Sequence, residues 1–230
     1  MPKRSYDLSF GQEEHILKKG KKPKSGDSEE PGKVVIDMGL GDVGDSVSIR
    51  DNHIYFYGNV NTKNCLSINL AIRQVGRKLT LLSYDMNIEP ENLKIYLHIN
   101  SFGGSVFAAI STIDTIKSSK IPVVSIVEGG AASAATLMSC VCSERYIRPN
   151  SFMLIHQVSS GFWGTMEEIK DEFKNLKKLM KFIKKLYKKN TKLDNSEESE
   201  VQLDCILKRD IWWDSSECLK YGLVDEIKEN

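Results

Sequence analysis

Between residues 53 and 157, short apolar runs alternate with segments whose apolar residues recur every three or four positions. HIYFYGNV (53–60) is rich in β-branched and aromatic residues and runs into glycine, which predicts a strand. CLSINLAIRQVGRKL (65–79) sets Ile68, Ile72, Val75 and Leu79 on one face of a helix. The same alternation continues with a strand in LKIYLHIN (93–100), a helix in VFAAISTIDTIKSS (106–119) and a strand in IPVVSIVEG (121–129), the last apolar enough to be buried on both faces. ASAATLMSCVC (132–142) predicts a buried helix, and RYIRPNSFMLIHQ (145–157) two short strands around a Pro-Asn turn. Alternating strands and helices favour an α/β fold with a largely parallel sheet.

A longer rhythm follows. In MEEIKDEFKNLKKLMKFIKKLYKKN (166–190), Ile169, Phe173, Leu176, Met180, Ile183 and Tyr187 form one apolar stripe, with lysines on the other faces. Thr165 and Glu168 have the spacing of a capping box at its start. A second amphipathic segment leads to KRDIWWDSSECLKYGLVDEI (208–227), with a helix over 215–221 stopped by Gly222.

The first 32 residues break the pattern. KKGKKPKSGDSEEPGK is charged, rich in Gly, Pro and Ser, and lacks the large apolar groups that would offset its ordering entropy. Residues 1–32 are therefore expected to be a flexible tail, and 33–230 one domain large enough to bury its own core. The formal charge of +1 argues against a dedicated nucleic-acid binder. No apolar run reaches bilayer length, and MPKRSYDLSF has no secretory apolar core, so a soluble, cytoplasmic protein without membrane partners is expected. The five cysteines include no C-x-x-C pair, and neither a metal nor a cofactor site is expected.

Two glycine-rich segments carry the candidate chemistry. NSFGGS (100–105) and EGGAAS (128–133) each fall between a predicted strand and a predicted helix. Backbone N–H groups at a helix start can bind phosphate or stabilise the oxyanion of acyl transfer, and Gly-Gly lets the backbone approach a substrate. Tight helix–sheet packing would account for either segment alone. Neither phosphate-loop pattern is present, nor is the G-x-S-x-G elbow. Among the four histidines, His15 lies in the tail, His53 starts a strand, His98 lies inside one as a core or face residue, and His156 stands where FMLIH leaves the sheet. A serine such as Ser133, crowded by small residues, has room to act as a nucleophile if a base such as His156 reaches it. The base then needs a carboxylate. Asp210 is one candidate, partly buried beside aromatic residues or else paired at the surface with Arg209; Asp204 and Asp214 lie close by.

Four stretches in order resemble the proteolytic subunits of the Clp protease, the ClpP family: INSFGGSVFAAISTIDTIK, GGAASAATLM, RPNSFMLIHQ and RDIWWDSSECLKYGLVDEI, within a similarity spanning roughly 46–230. The resemblance implies a serine endopeptidase with Ser133 as nucleophile, His156 as base and Asp210 as the third member. It also implies an oxyanion hole from the N–H groups of Gly104 and Ala134. The implied fold is a crotonase-like β-α spiral with a protruding long helix, the handle, at about 165–190. The implied assembly is a homo-oligomer of two stacked heptameric rings that encloses peptide and protein substrates and is fed by an AAA+ unfoldase. Phe102 stands where the family commonly has proline, and Gly130 where it commonly has glutamine. The family's pore-lining segment is not recognisable before residue 46. Two alternatives stand beside this reading. A crotonase-type acyl-CoA enzyme would share the fold without needing Ser133, His156 and Asp210 together. A divergent Clp-like protease would act without an unfoldase.

Overall fold

A computed structural model of the chain describes residues 46–193 and 199–229. The expected tail lies outside the described residues. Seven strands and six helices follow in order: β1 (Val47–Arg50), β2 (His53–Tyr57), α1 (Thr62–Met86), β3 (Ile95–Ser101), α2 (Val106–Ser118), β4 (Val123–Ala132), α3 (Ala134–Cys140), β5 (Glu144–Ile147), β6 (Phe152–Leu154), α4 (Met166–Asn190), α5 (Ser199–Leu207), α6 (Ser215–Lys220) and β7 (Glu226–Ile227). The strands form one sheet in the order β1-β2-β3-β4-β5-β7, parallel except for β1 against β2, with β6 also paired to β4. This is the mixed α/β fold, with its long helix, that the sequence pattern predicts.

Alternation along β2 and β3 sorts the two sheet faces. Ile54, Phe56, Ile95, Leu97 and Ile99 are buried in the main core with Ile68, Ile72 and Val75 of α1 and Ile113 of α2. The opposite face carries His53, Tyr55, Tyr96 and His98, with their rings stacked or tilted on one another. There Glu128 accepts hydrogen bonds from Tyr57 (2.5 Å), His98 (3.0 Å) and Arg148 (3.3 Å). With its Nδ1–H given to Glu128, His98 uses Nε2 to accept from His53 Nδ1 at 2.8 Å. His98 is thus a satisfied, buried face residue.

Two elements differ from the sequence reading. β4 continues through Glu128–Ala132, so EGGAAS is mostly strand and only Ser133 makes the turn into α3. The two short strands expected around the Pro-Asn turn are present, β5 pairing with the first half of β4 and β6 with Gly130–Ala132. The apolar stripe of α4 divides. Ile183 and Tyr187 enter the core of their own chain, whereas Ile169 and Phe173 are exposed, Phe173 by 59%. The capping box at Thr165 is present with both of its bonds. Among the described residues, no helix is long and apolar enough to cross a membrane.

Candidate active site

Ser133 is the single residue between β4 and α3, with φ 53° and ψ −122°. A non-glycine residue there stores strain of about 1–3 kcal/mol, and such strain clusters at functional sites. The turn is held on three sides. Ser133 N–H donates to Leu154 O at 2.9 Å; Thr136 N–H donates to Ser133 O at 3.0 Å, and Thr136 Oγ1 donates to the same carbonyl at 2.6 Å. Thr136 Oγ1 also lies 2.6 Å from the Tyr187 hydroxyl, whose burial raises its pKa far above the ordinary phenol value. The Ser133 side chain makes no cap bond to its helix and is left half-exposed.

The small residues around Ser133 have a geometric reason. Gly103 (φ +96°) packs so closely that a Cβ there would lie 2.7 Å from Ala132 O and 2.8 Å from Ser133 Cβ. Gly104 (φ +140°) lies against Val60, where a Cβ would lie 2.3 Å from the carbonyl oxygen. Val60 N–H bonds Gly103 O and Ser105 N–H bonds Val60 O, which pins the Gly-Gly turn beside the serine. The N–H groups of Gly104 and Ala134 find no acceptor among the described residues. A small cleft of about 70 Å³ joins Gly104, Ser133, Ala134 and His156, with Ile183 and Tyr187 behind them.

β6 brings the histidine in. Leu154 pairs with Ala132, and His156 follows two residues later. Its Nδ1 lies 3.0 Å from Asp210 Oδ1; His156 is 25% exposed and Asp210 77%. Of the two alternatives the sequence left open, Asp210 is thus the exposed one, but its partner is His156 rather than Arg209. The neighbouring carboxylates are engaged elsewhere: Asp204 pairs with Lys184 at 2.5 Å, and Asp214 caps α6 through Glu217 N–H. Asp210 is located by the bridge between Met153 and Trp213, which ties its segment to β6. Among the described residues no hydrogen bond joins Ser133 Oγ to His156. In free enzymes such bonds are often long and tighten with substrate. The sequence reading missed the Thr136–Tyr187 pair beneath the serine. Tyr187 was legible only as part of an apolar stripe, which says nothing of where its hydroxyl goes.

A strained serine, a histidine whose Nδ1 meets a carboxylate, and two unpaired N–H groups in one cleft have the chemistry of a serine hydrolase on an α/β scaffold. The sequence profile of the Clp protease family matches residues 49–230, and the chain belongs to that family, one of serine-type endopeptidases. The ATP-dependent Clp protease proteolytic subunit of Streptococcus mutans is 41% identical over 138 residues, 59% of this chain and 69% of its own. The ATP-dependent Clp protease proteolytic subunit 2 of Treponema denticola is 32% identical over 173 residues, 74% of this chain and 84% of its own. Subunit 1 of the same protease in Leifsonia xyli is 30% identical over 184 residues, 79% and 85% of the two chains.

Proposed function

We propose that this chain hydrolyses peptide bonds with Ser133 as nucleophile, His156 as general base and Asp210 as the group that orients it. The observation that carries the reading is the contact between His156 Nδ1 and Asp210, which leaves Nε2 to act as the base in the cleft that holds Ser133. Ser133 Oγ attacks the scissile carbonyl carbon while His156 Nε2 takes its proton. The oxyanion is stabilised by the N–H groups of Gly104 and Ala134. The imidazolium, held by the Asp210 carboxylate, then passes the proton to the leaving amine as the C–N bond breaks. The acyl group remains on Ser133 as an ester. Water attacks the ester, giving a proton to His156 Nε2, which passes it to Ser133 Oγ as the C–O bond breaks; the carboxylic acid leaves and the serine is restored.

The assembly belongs to the same proposal. Subunits of this family typically form rings and work with unfoldases. The uncovered first half of the α4 stripe supports a second copy packed on it; we take the assembly to be two stacked heptameric rings joined through α4, with an AAA+ unfoldase delivering substrates to the enclosed sites. The catalytic domain is taken as 33–230 and the first 32 residues as a tail outside it.

The test of the chemistry is covalent labelling by a fluorophosphonate probe, read by mass spectrometry of the modified peptide. The probe is expected on Ser133, with labelling lost in Ser133→Ala. Peptide turnover by that variant is expected to fall by on the order of 10⁴ to 10⁶. Modification of another residue, or unchanged turnover in Ser133→Ala, refutes the assignment.

A further inference from the structure

Phe102 and Gly130 both depart from the family pattern, and the fold brings them together. A Cβ at Gly130 would meet the Phe102 ring at 3.6 Å and the Trp212 ring at 3.7 Å. Those two rings meet edge to face, with centroids 5.8 Å apart. Both stay exposed, Phe102 by 66% and Trp212 by 40%. Phe152, paired with Gly130 across β6 and β4, is exposed on the same face. The space at Gly130 holds little more than a methyl group, so a longer side chain there would stand between the rings.

This aromatic patch lies on the sheet face that carries the candidate triad. Alternation along β4 turns Ala131 into the core and Gly130 and Ala132 to the other face. On β6 it groups Phe152 with Leu154, and the antiparallel bridge from Met153 to Trp213 sets Trp212 beside Leu154. Two residues further along both segments, His156 meets Asp210 at 3.0 Å. Two residues of strand span about 7 Å, so Trp212 stands one side-chain spacing from Asp210. Phe102 opens the Gly-Gly turn that brings Gly104 to the cleft beside Ser133. That cleft is backed by Leu137, Ile183 and Tyr187, and neither ring lines it.

We propose that Phe102 and Trp212 bind the substrate side chain that immediately follows the scissile bond, and that they favour an aromatic one. This assignment rests on the peptidase reading, which fixes the direction of the substrate. The leaving amine must reach His156 Nε2 to collect its proton. The acyl side of the substrate then fills the cleft behind Ser133, and the leaving segment passes on the His156 side, where the two rings stand. A step of about 7 Å is within reach of the first side chain past the bond. The exposed rings, set edge to face, offer an incoming ring both orientations that aromatic pairs prefer, whereas an aliphatic side chain gains only their area. Gly130 keeps the floor between them clear.

The test is hydrolysis of two sets of short peptides by the full chain, with the cleaved bond located by mass spectrometry. One set varies the residue after the cleaved bond among Phe, Leu, Ala and Glu; the other varies the residue before it. In the first set the unsubstituted chain is expected to favour Phe over Ala by about tenfold in kcat/KM, the low end of what an apolar pocket gives. Phe102→Ala, Trp212→Ala and Gly130→Gln are each expected to cut that ratio by about threefold or more, while the order of preference in the second set stays as it was. A ratio between substrates is independent of the fraction of enzyme that is folded, so lost stability does not mimic the effect. Equal rates for Phe and Ala, or a ratio unmoved in all three variants, overturns the proposal. Parallel changes in both sets make the rings part of the scaffold and overturn it too. Dissociation of the variants in sedimentation assigns the rings to a contact between copies of this chain instead. Fluorophosphonate labelling separates the two readings: labelled Ser133 without aromatic preference removes this inference alone, whereas unlabelled Ser133 removes the peptidase reading beneath it as well.

Discussion

Gly103→Ala is the sharpest test of the packing around Ser133. The new Cβ would lie 2.7 Å from Ala132 O, 2.8 Å from Ser133 Cβ and 3.2 Å from Ala134 N, two of them backbone atoms that cannot swing away. Its φ of +96° is also one that side-chain-bearing residues rarely adopt. Strain of this kind costs about 1–3 kcal/mol, and forced overpacking about another 1–3 kcal/mol. The sum, about 2–6 kcal/mol, is a large share of a typical domain stability of about 5–15 kcal/mol. The chain relieves it only by moving the Gly-Gly turn away from Ser133. A displacement near 1 Å at a reacting group lowers turnover by on the order of 10². Urea denaturation measures the first effect and hydrolysis of a fluorogenic peptide the second. Gly161→Ala is the control, because nothing lies within 4 Å of its Cβ position. A Gly103→Ala protein as stable and as active as the Gly161→Ala control would refute the close approach of the turn to the serine.

Other expectations follow from the same geometry. Asp210→Asn should lower turnover by about 10² to 10⁴ by holding the wrong imidazole tautomer, whereas Asp204→Asn should leave turnover near normal; the reverse result would mean that the His156 partner is misassigned. Burial alone would raise the Glu128 pKa, but the bonds from Tyr57, His98 and Arg148 outweigh it and hold it below the ordinary 4.5. Glu128 therefore stabilises the fold above about pH 4.5, and this contribution is lost as pH falls through the lower folded value. Burial, aided by His98, lowers His53 below its ordinary 6.5, so its stabilising effect also fades as pH falls below 6.5. Urea midpoints should thus decline from pH 7 to 3, and the part of the decline below pH 4.5 should be shallower in Glu128→Gln; equal slopes in that range would contradict the network. Ile169→Asp with Phe173→Asp sets charge on the uncovered half of the stripe, at several kcal/mol for each unpaired ion that ring pairing would bury. Sedimentation should show half-size particles, and an intact full-size assembly would argue against ring pairing through α4.

The sequence was most informative where a local rule has one reading. α4 could be bounded because its capping box, apolar stripe and lysine faces all say helix. β1 escaped notice because VSIR is a four-residue, mostly exposed strand whose partner, not its pattern, makes it a strand. The Glu128–Ala132 segment looked like a loop because glycine and alanine carry little strand signal; pairing of Ala131 with Ser101 and of Gly130 with Phe152 extends β4 through it. Ser133 and His156 stood out through their surroundings in sequence. Three carboxylates within eleven residues could not be ranked that way, because their roles differ only in distant partners: Lys184 for Asp204, His156 for Asp210 and the α6 terminus for Asp214.

The backbone pairs that carry the candidate triad are made in series. Ala132 is matched to Leu154, and Met153 to Trp213, so Ser133, His156 and Asp210 hang from neighbouring links. One link therefore serves two groups: Trp213 fastens β6 from its far side at Met153, three positions before His156, and holds the Asp210 carboxylate three residues before itself. A change that loosens this bridge would shift the histidine and its partner together rather than one at a time.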